Sequence, residues 1–116
     1  MTYSVTRTYR FEAAHFLPKV PETHKCRRVH GHNYRVDVTV AGPLDDCGFV
    51  IDFFHLDAQM APLIESMDHR CLNDISGLEN PTAELIAQWV WKKLGSHQDT
   101  SVKVFETADA CAEFTP

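Results

Sequence analysis

The stretch HGHNYRVDVTV, residues 30 to 40, alternates between two kinds of side chain. One parity carries two histidines, a tyrosine and three valines, while the other carries glycine, asparagine, arginine, aspartate and threonine. Successive side chains of a β-strand point to opposite faces of the sheet. This period of two therefore predicts a strand with one apolar face, and Gly42-Pro43 is expected to end it.

A second strand and a loop are predicted before this one. Residues 2 to 15 alternate β-branched and aromatic side chains with polar ones, a pattern typical of a strand. Residues 16 to 29 contain two prolines and many charges, which predict a loop. Shorter strands are predicted at FVID (49–52), SVKVFE (101–106) and CAEFT (111–115), the last two around a turn.

Two helices are predicted between these strands. Apolar residues recur at helical spacing from 56 to 67 behind Asp52 as a possible cap, and Pro62 is expected to kink this helix or split it in two. The second helix is expected to start with Asn80 as the cap and Pro81 at the first helical position. The order of strands, helices and strands favours an α+β fold, with a mostly antiparallel sheet and helices on one face.

The composition is that of one globular domain spanning residues 1–116. The apolar fraction is 44%, the charged fraction 23% and the formal net charge −5. An acidic balance argues against nucleic acid as a partner, because nucleic-acid binders usually present a basic face. No apolar run suggests a signal peptide or a membrane span, so a cytoplasmic protein without a membrane partner is expected.

Three histidines are predicted to bind zinc. His30 and His32 lie two residues apart and thus on one face of a strand. His15 ends the first predicted strand and would lie beside them if the two strands pair antiparallel. Three histidine ligands leave the fourth tetrahedral position open, as in catalytic zinc sites. The other histidines are assigned ordinary surface or core roles: His24, His55 and His97.

Glu12 invites a different interpretation, because it lies three residues before His15 in FEAAH (11–15). Metalloproteases carry a glutamate and histidines on one helix. On a strand, Glu12 and His15 would face opposite sides. A zinc hydrolase with Glu12 as its base is therefore not expected.

Several segments together resemble the pyruvoyltetrahydropterin synthase family over nearly the whole chain. They are FEAAH (11–15), CxxxHGH (26–32), FVIDF (49–53), MDHRCLND (67–74), ENPTAE (79–84) and FET (105–107). The spacer of three residues between Cys26 and HGH resembles the 6-carboxytetrahydropterin synthase branch of queuosine biosynthesis. The resemblance implies a tunnelling fold, in which sheets of several subunits form a β-barrel, commonly in a homohexamer of two trimers with active sites at subunit interfaces.

The resemblance also implies site residues. Cys26 matches the family's catalytic cysteine, a general base, and nearby cations would favour its thiolate. Asp68 and His69 match a proton-relay pair, although adjacent residues of a helix do not face each other. A direct bond between them would require irregular backbone; otherwise Asp68 orients His69 or Cys26 at longer range, or the two form a helix-end charge pair.

Substrate-binding residues follow from the same comparison and from charge. Glu106 matches the family's pterin anchor and shares the parity of Val102 and Val104; a carboxylate can accept two neighbouring N–H groups of a pterin. Thr82 and Glu84 match positions lining the pterin pocket, although Glu84 could equally be a first-turn glutamate stabilised by the helix dipole.

A basic cluster is assigned to the substrate's triphosphate from its charge, although a solvated basic loop would explain it equally well. It consists of Lys25, Arg27 and Arg28.

The expected function is that of a zinc-dependent carbon–carbon lyase. It would convert 7,8-dihydroneopterin triphosphate to 6-carboxy-5,6,7,8-tetrahydropterin, acetaldehyde and triphosphate. One alternative is a 6-pyruvoyltetrahydropterin synthase, which eliminates triphosphate without cleaving the side chain. Another is a non-catalytic zinc-binding or pterin-binding module, in which Cys26, His69 and Glu106 would be expected to be lost; all three are present.

Overall fold

The computed structural model describes residues 2–95 and 99–116, so His97 lies outside the described residues. The main elements are β1 (Tyr3–His15), β2 (His30–Gly42), α1 (Phe53–Met67), α2 (Ala83–Leu94), β3 (Thr100–Thr107) and β4 (Ala110–Phe114). Short 3-10 turns cover Lys25–Arg27 and Leu72–Asp74.

The four strands form one antiparallel sheet in the order β1-β2-β3-β4. In the β1-β2 pair, Tyr3 lies opposite Gly42 at one end and His15 lies opposite His30 at the other. The sheet is open, with β1 and β4 as its edge strands. The predicted α+β fold with an antiparallel sheet is confirmed.

One face of the sheet, the inner face, packs against both helices. Val36 and Val38 of β2 are fully buried there together with Leu56 of α1 and Ile86 of α2. Burial of these side chains removes apolar surface from water, which is the main free energy holding helices to sheet. The predicted packing of both helices on one face is therefore confirmed.

The opposite, outer face carries the polar parity of the strands. Asp37 on this face accepts two hydrogen bonds from the Arg35 guanidinium, at 3.0 and 2.8 Å, and one from the Thr8 hydroxyl at 2.8 Å. The Arg35 hydrogen bonds are the main reason that the pKa of Asp37 lies below its usual range. A slip of one residue in the β1-β2 register would turn these charges into the core, so the alternation also specifies the register.

The predicted strand at residues 49–52 is wrong. The carboxylate of Asp45 accepts the backbone N–H groups of Cys47 and Phe49 at 2.8 and 2.9 Å, and the Asp45 N–H donates to the Phe49 carbonyl. These local bonds close a tight turn, in which Gly48 has a φ of 86°. Side-chain bonds to nearby backbone thus replace the ladder of a strand.

Helix α1 is one continuous helix that contains Pro62. Asp52 caps it as predicted, since its carboxylate accepts the Phe54 N–H at 2.9 Å. The helix then runs through Pro62 to Met67, so the predicted division into two helices is wrong. Pro62 is exposed, and water can therefore bind the carbonyl that lacks a helical donor.

Helix α2 is capped by Thr82, which makes the prediction of Asn80 as the cap wrong. The Thr82 hydroxyl accepts the Leu85 N–H at 3.2 Å, and the helix begins at Ala83. Pro81 precedes the cap, because its carbonyl binds a histidine of β1 instead of joining the helix. Neither helix of the described part of the chain is long and apolar enough to cross a membrane.

Candidate active site

Three imidazoles meet on the inner face at one end of β1 and β2. The register places His15 opposite His30 and Ala13 opposite His32. The Nε2 atoms of His15 and His30 are 3.0 Å apart. One ring nitrogen from each of the three histidines lies within 4.8 Å of the other two, so the group could hold a metal ion.

Backbone carbonyls decide which nitrogens face the centre of this cluster. His15 Nδ1 lies 2.9 Å from the Pro81 carbonyl, and His30 Nδ1 lies 2.7 Å from the Arg28 carbonyl. A carbonyl oxygen only accepts, so each Nδ1 carries the proton and each neutral ring presents a lone pair at Nε2. Two lone pairs that face each other at 3.0 Å repel unless a cation or a proton lies between them.

His32 completes the cluster with a nitrogen that lacks a partner. Its Nε2 is buried and has no hydrogen bond within the described residues, although Glu106 Oε2 lies 3.2 Å away. Burial lowers the pKa of both His15 and His32, which favours the neutral, metal-binding form of each ring. An unsatisfied buried nitrogen is costly, and a metal ion would satisfy it. These side chains therefore fit a cation with three nitrogen ligands.

Glu106 reaches this cluster from an irregular position of β3. Phe105 pairs with Cys111 and Thr107 with Ala110, so Glu106 is the extra residue of a β-bulge. Its carboxylate lies beside His32 and keeps partial access to solvent. The structure thus brings Glu106 to the histidine cluster.

The two candidate residues at the start of α2 differ in their surroundings. Glu84 and Glu106 line one cavity of about 240 Å³ between α2 and β4. The Thr82 hydroxyl is instead bound to the backbone of α2 as its cap. Glu84 is therefore available to a ligand beside Glu106, whereas Thr82 shapes this region through the helix start.

Asp68 and His69 are in direct contact because the backbone leaves the helix between them. Asp68 is the extended C-cap of α1, and His69 has a φ of 58°, in the left-handed region. As a result His69 Nδ1 lies 3.0 Å from Asp68 Oδ1. Irregular backbone was the condition for a direct bond, and it is present here.

The edge of β1 holds this pair in place. The Glu12 N–H donates to Asp68 Oδ1 at 2.9 Å, and the His69 N–H donates to the Glu12 carbonyl at 2.6 Å. The pKa of Asp68 lies below its usual range mainly because its carboxylate accepts the Glu12 N–H; the hydrogen bond with the His69 ring is the second cause. Asp68 is therefore an ionised acceptor for the His69 ring near neutral pH.

The pair and the histidine cluster lie on different sides of the sheet. His15 is buried on the inner face, whereas Glu12 is exposed on the other side of β1, as its parity predicts. His69 Nε2 lies 3.9 Å from Glu12 Oε2, and 74% of the His69 side chain is exposed. Within one protomer, Asp68 and His69 therefore face the outer side of the sheet.

Cys26 lies half-buried in the 3-10 turn between β1 and β2. Its carbonyl accepts the Leu17 N–H at 2.8 Å, while its thiol has no hydrogen-bond partner in the described part of the chain. Among the neighbouring cations, Arg27 donates to the Val20 carbonyl at 2.8 Å, whereas Lys25 and Arg28 have exposed side chains. Of the three cations, Arg27 thus helps to hold the loop in its conformation.

Sequence reasoning missed the carbonyl groups that orient the histidines. Pro81 and Arg28 act through backbone oxygen, which every residue possesses, so no side-chain pattern marks them. It also missed Glu12, which holds Asp68 and His69 through its backbone. Only the β1 edge position of FEAAH could have suggested this role.

Metal titration tests the cluster directly. We expect the metal-free protein to bind one Co²⁺ or Zn²⁺ per chain, because one ring nitrogen from each of three histidines lies within 4.8 Å of the other two. Alanine at His15, His30 or His32 should abolish this tight binding. His55→Ala, on exposed helix surface, should leave it unchanged, as measured by cobalt absorption and bound-metal analysis. Stoichiometric binding by all three cluster variants would contradict the site.

Comparisons with known proteins identify the family of this chain. The family model described as 6-pyruvoyl tetrahydropterin synthase matches residues 4–116. A 6-carboxy-5,6,7,8-tetrahydropterin synthase of Synechocystis is 41% identical over 95% of this chain and 91% of its own. A dihydroneopterin monophosphate aldolase of Pyrococcus furiosus is 34% identical over 81% of this chain and 76% of its own length.

A solved structure extends the comparison to the fold. The 6-pyruvoyl tetrahydropterin synthase of Caenorhabditis elegans superposes with a TM-score of 0.90 at 26% identity, covering 100% of this chain and 96% of its own. Sequence and fold thus indicate the same family for the chain that carries the histidine cluster and Glu106. This chain belongs to the 6-pyruvoyl tetrahydropterin synthase family.

Proposed function

We propose that this protein is a zinc-dependent 6-carboxy-5,6,7,8-tetrahydropterin synthase of queuosine biosynthesis. It would act in the cytoplasm on 7,8-dihydroneopterin triphosphate and release acetaldehyde and triphosphate. The observation that carries the proposal is the convergence of three imidazoles beside the Glu106 carboxylate. The choice of the carboxy product is supported by the relative from Synechocystis, which spans nearly the whole chain.

Glu106 would anchor the pterin. Its carboxylate can accept two neighbouring N–H groups from the pyrimidine edge, and Glu84 on the same cavity could contact the ring system. The substrate's hydroxylated side chain would then point to the histidine cluster. Zinc held by His15, His30 and His32 would polarise the side-chain oxygens and acidify the adjacent C–H bond.

Proton transfer would fall to Cys26 and His69. The Cys26 thiolate would take a proton from the side-chain carbon, and Lys25 and Arg28 would favour the anion. Asp68 would hold the His69 ring through Nδ1, so that Nε2 exchanges the proton with the substrate. The electron pair of the broken C–H bond would form a C=C bond to the neighbouring carbon, whose C–O bond breaks as triphosphate leaves with the electrons of that bond. Addition of one water would then allow the bond between the first and second side-chain carbons to break, which leaves a carboxyl group on the pterin and releases the other two carbons as acetaldehyde.

The basic turn would bind the substrate's triphosphate. Lys25 and Arg28 have exposed side chains, and Arg27 keeps guanidinium N–H groups beyond the one bound to Val20. Guanidinium and ammonium groups bind phosphate through charge-assisted hydrogen bonds. This assignment places the leaving group on the same loop as the proposed base, Cys26.

We infer that each active site combines two subunits. In one protomer the histidine cluster lies on the inner face, while His69 lies on the outer side beside Glu12. A neighbouring subunit could bring its Asp68 and His69 to the cluster. Among the described residues, β4 and the part of β1 before Glu12 have no further strand beside them, which supports assembly of sheets into a barrel, as trimers that pair into a homohexamer.

A second candidate is an aldolase acting on dihydroneopterin monophosphate. It is favoured by the relative from Pyrococcus furiosus, which carries that name. A synthase that makes 6-pyruvoyltetrahydropterin is a further alternative within the family. Each of these reactions yields a different pterin, so product identity distinguishes them.

The product assay tests the reaction. We expect the zinc-loaded protein to convert 7,8-dihydroneopterin triphosphate to 6-carboxy-5,6,7,8-tetrahydropterin with one acetaldehyde per turnover. Mass spectrometry identifies the pterin, and a coupled dehydrogenase measures acetaldehyde. A pyruvoyl product without acetaldehyde, or turnover of the monophosphate alone, would replace the proposal with one of the alternatives.

Substitution of the proposed base tests the role of Cys26. We expect Cys26→Ala to lower kcat by about 100- to 10,000-fold, the usual contribution of a general base, with zinc still bound. Cys47→Ala, in the exposed turn before α1, is the matched control and should retain full activity. Activity of Cys26→Ala equal to that of the control would exclude a thiolate base.

Mixed oligomers test the shared active site. His32→Ala and His69→Ala chains are each expected to be inactive alone. Equal mixing should restore about a quarter of wild-type activity. One site in four would combine the intact histidine cluster of a His69→Ala chain with the intact His69 of a His32→Ala chain. A mixture of His30→Ala and His32→Ala is the control and should stay inactive, since both chains lack the cluster. Absence of recovery in the first mixture would show that each site belongs to one chain.

A further inference from the structure

The loop that carries Cys26 is held by hydrogen bonds rather than by a core. The 3-10 turn Lys25–Arg27 contains no buried residue. Two contacts tie the loop together away from Cys26: Arg27 donates to the Val20 carbonyl, and the His24 N–H donates to the Pro21 carbonyl at 2.8 Å. With no buried side chain in the turn, the position of Cys26 depends on such polar contacts.

The peptide groups of Cys26 are bound on both sides. Its carbonyl accepts the N–H of Leu17, two residues after His15, so this bond relates Cys26 to the end of β1. Its N–H donates to Nδ1 of the His24 imidazole at 3.0 Å. One bond therefore anchors Cys26 to the strand that bears a cluster histidine, and the other orients the residue within its turn.

His24 acts here as the N-cap of the turn. Its backbone is extended, with φ −75° and ψ 131°, and its carbonyl accepts the Arg27 N–H at 3.1 Å. Asparagine, aspartate, serine and threonine are the usual residues for this role, because their short side chains carry an acceptor. The imidazole meets the same requirement with Nδ1 unprotonated, so the neutral ring carries its proton on Nε2.

We propose that His24 is a positioning residue for Cys26, an inference that rests on the proposed function of Cys26 as the base. The imidazole sets the conformation of the turn through the Cys26 N–H and thereby the direction of the thiol. It touches neither the pterin nor the metal. The sequence alone assigned His24 to an ordinary surface or core role rather than to metal binding, and the bond to Cys26 adds a positioning role to it.

Three variants separate this role from others. His24→Ala removes the acceptor, His24→Asn supplies another acceptor of the usual capping type, and Thr23→Ala changes an exposed neighbour in the same loop. For each variant, hydrogen exchange of the peptide spanning residues 22 to 29 reports on the turn. Steady-state kinetics with the pterin triphosphate report on Cys26, and bound zinc reports on the histidine cluster.

We expect His24→Ala to lose exchange protection in this peptide. It should also lower kcat by about fivefold to tenfold, because the free energy lost with a cap would favour other conformations of the turn, which misdirect the thiol, by about that factor. KM should stay within about twofold, because the pterin anchor is untouched. His24→Asn and Thr23→Ala should resemble the wild type in both measurements, and all variants should bind zinc.

Native exchange protection in His24→Ala, or an unchanged kcat, would overturn the proposal. Failure of His24→Asn to restore both would also overturn it, because the acceptor would then not be what matters. If the wild type itself fails to turn over the pterin, the proposed function is wrong. The exchange measurement still decides in that case whether His24 caps the Cys26 turn.

Discussion

The antiparallel pairing of β1 with β2 is the constraint on which the site depends. It places His15 opposite His30 and brings His32 to the same face. The carbonyls of Pro81 and Arg28 then hold two of the rings with Nε2 directed into the cluster. Such second contacts of histidine ligands fix ring orientation and tautomer. The pair of strands β1 and β2, which are joined along their whole length, thus carries the groups that require the most exact placement.

The other candidate groups lie where regular backbone is interrupted. His69 has left-handed backbone, Glu106 is the extra residue of a bulge, and Cys26 belongs to a 3-10 turn. Regular strands and helices allow only a few side-chain directions. A bulge or a turn changes the direction of one side chain without moving the elements around it. For His69 and Cys26, polar contacts to neighbouring backbone hold the irregular conformation.

The size of the chain explains why its site is divided between two faces. A chain of 116 residues has one core, and here that core fills the space between the sheet and the helices. Groups on the outer side, such as His69, cannot reach the inner face of the same sheet. In the proposed oligomer, assembly of sheets through their edges would bring inner and outer groups of different chains together and so supply what one core cannot.

The sequence by itself determined the features that depend on local periodicity. Alternation in HGHNYRVDVTV predicted β2 and its buried face, and parity put His15, His30 and His32 on one side and Glu12 on the other. Asp52 was recognised as a helix cap for the same reason, since a cap acts within one turn. Most of the fold and the grouping of the three histidines were therefore predictable.

Only the tertiary structure decided the features that depend on contacts distant in sequence. The His15 ring binds the Pro81 carbonyl, so that α2 begins at Ala83 behind the Thr82 cap. The β1 edge holds His69 in a conformation that no local pattern predicts. Residues 49–52 have the composition of a strand, yet Phe49 closes a turn with Asp45 and Asp52 caps α1. Periodicity indicates which face of an element is buried, whereas the hydrogen-bond partners of the backbone follow from how the elements pack. Backbone carbonyl groups occur in every residue type, so the sequence does not mark these partners.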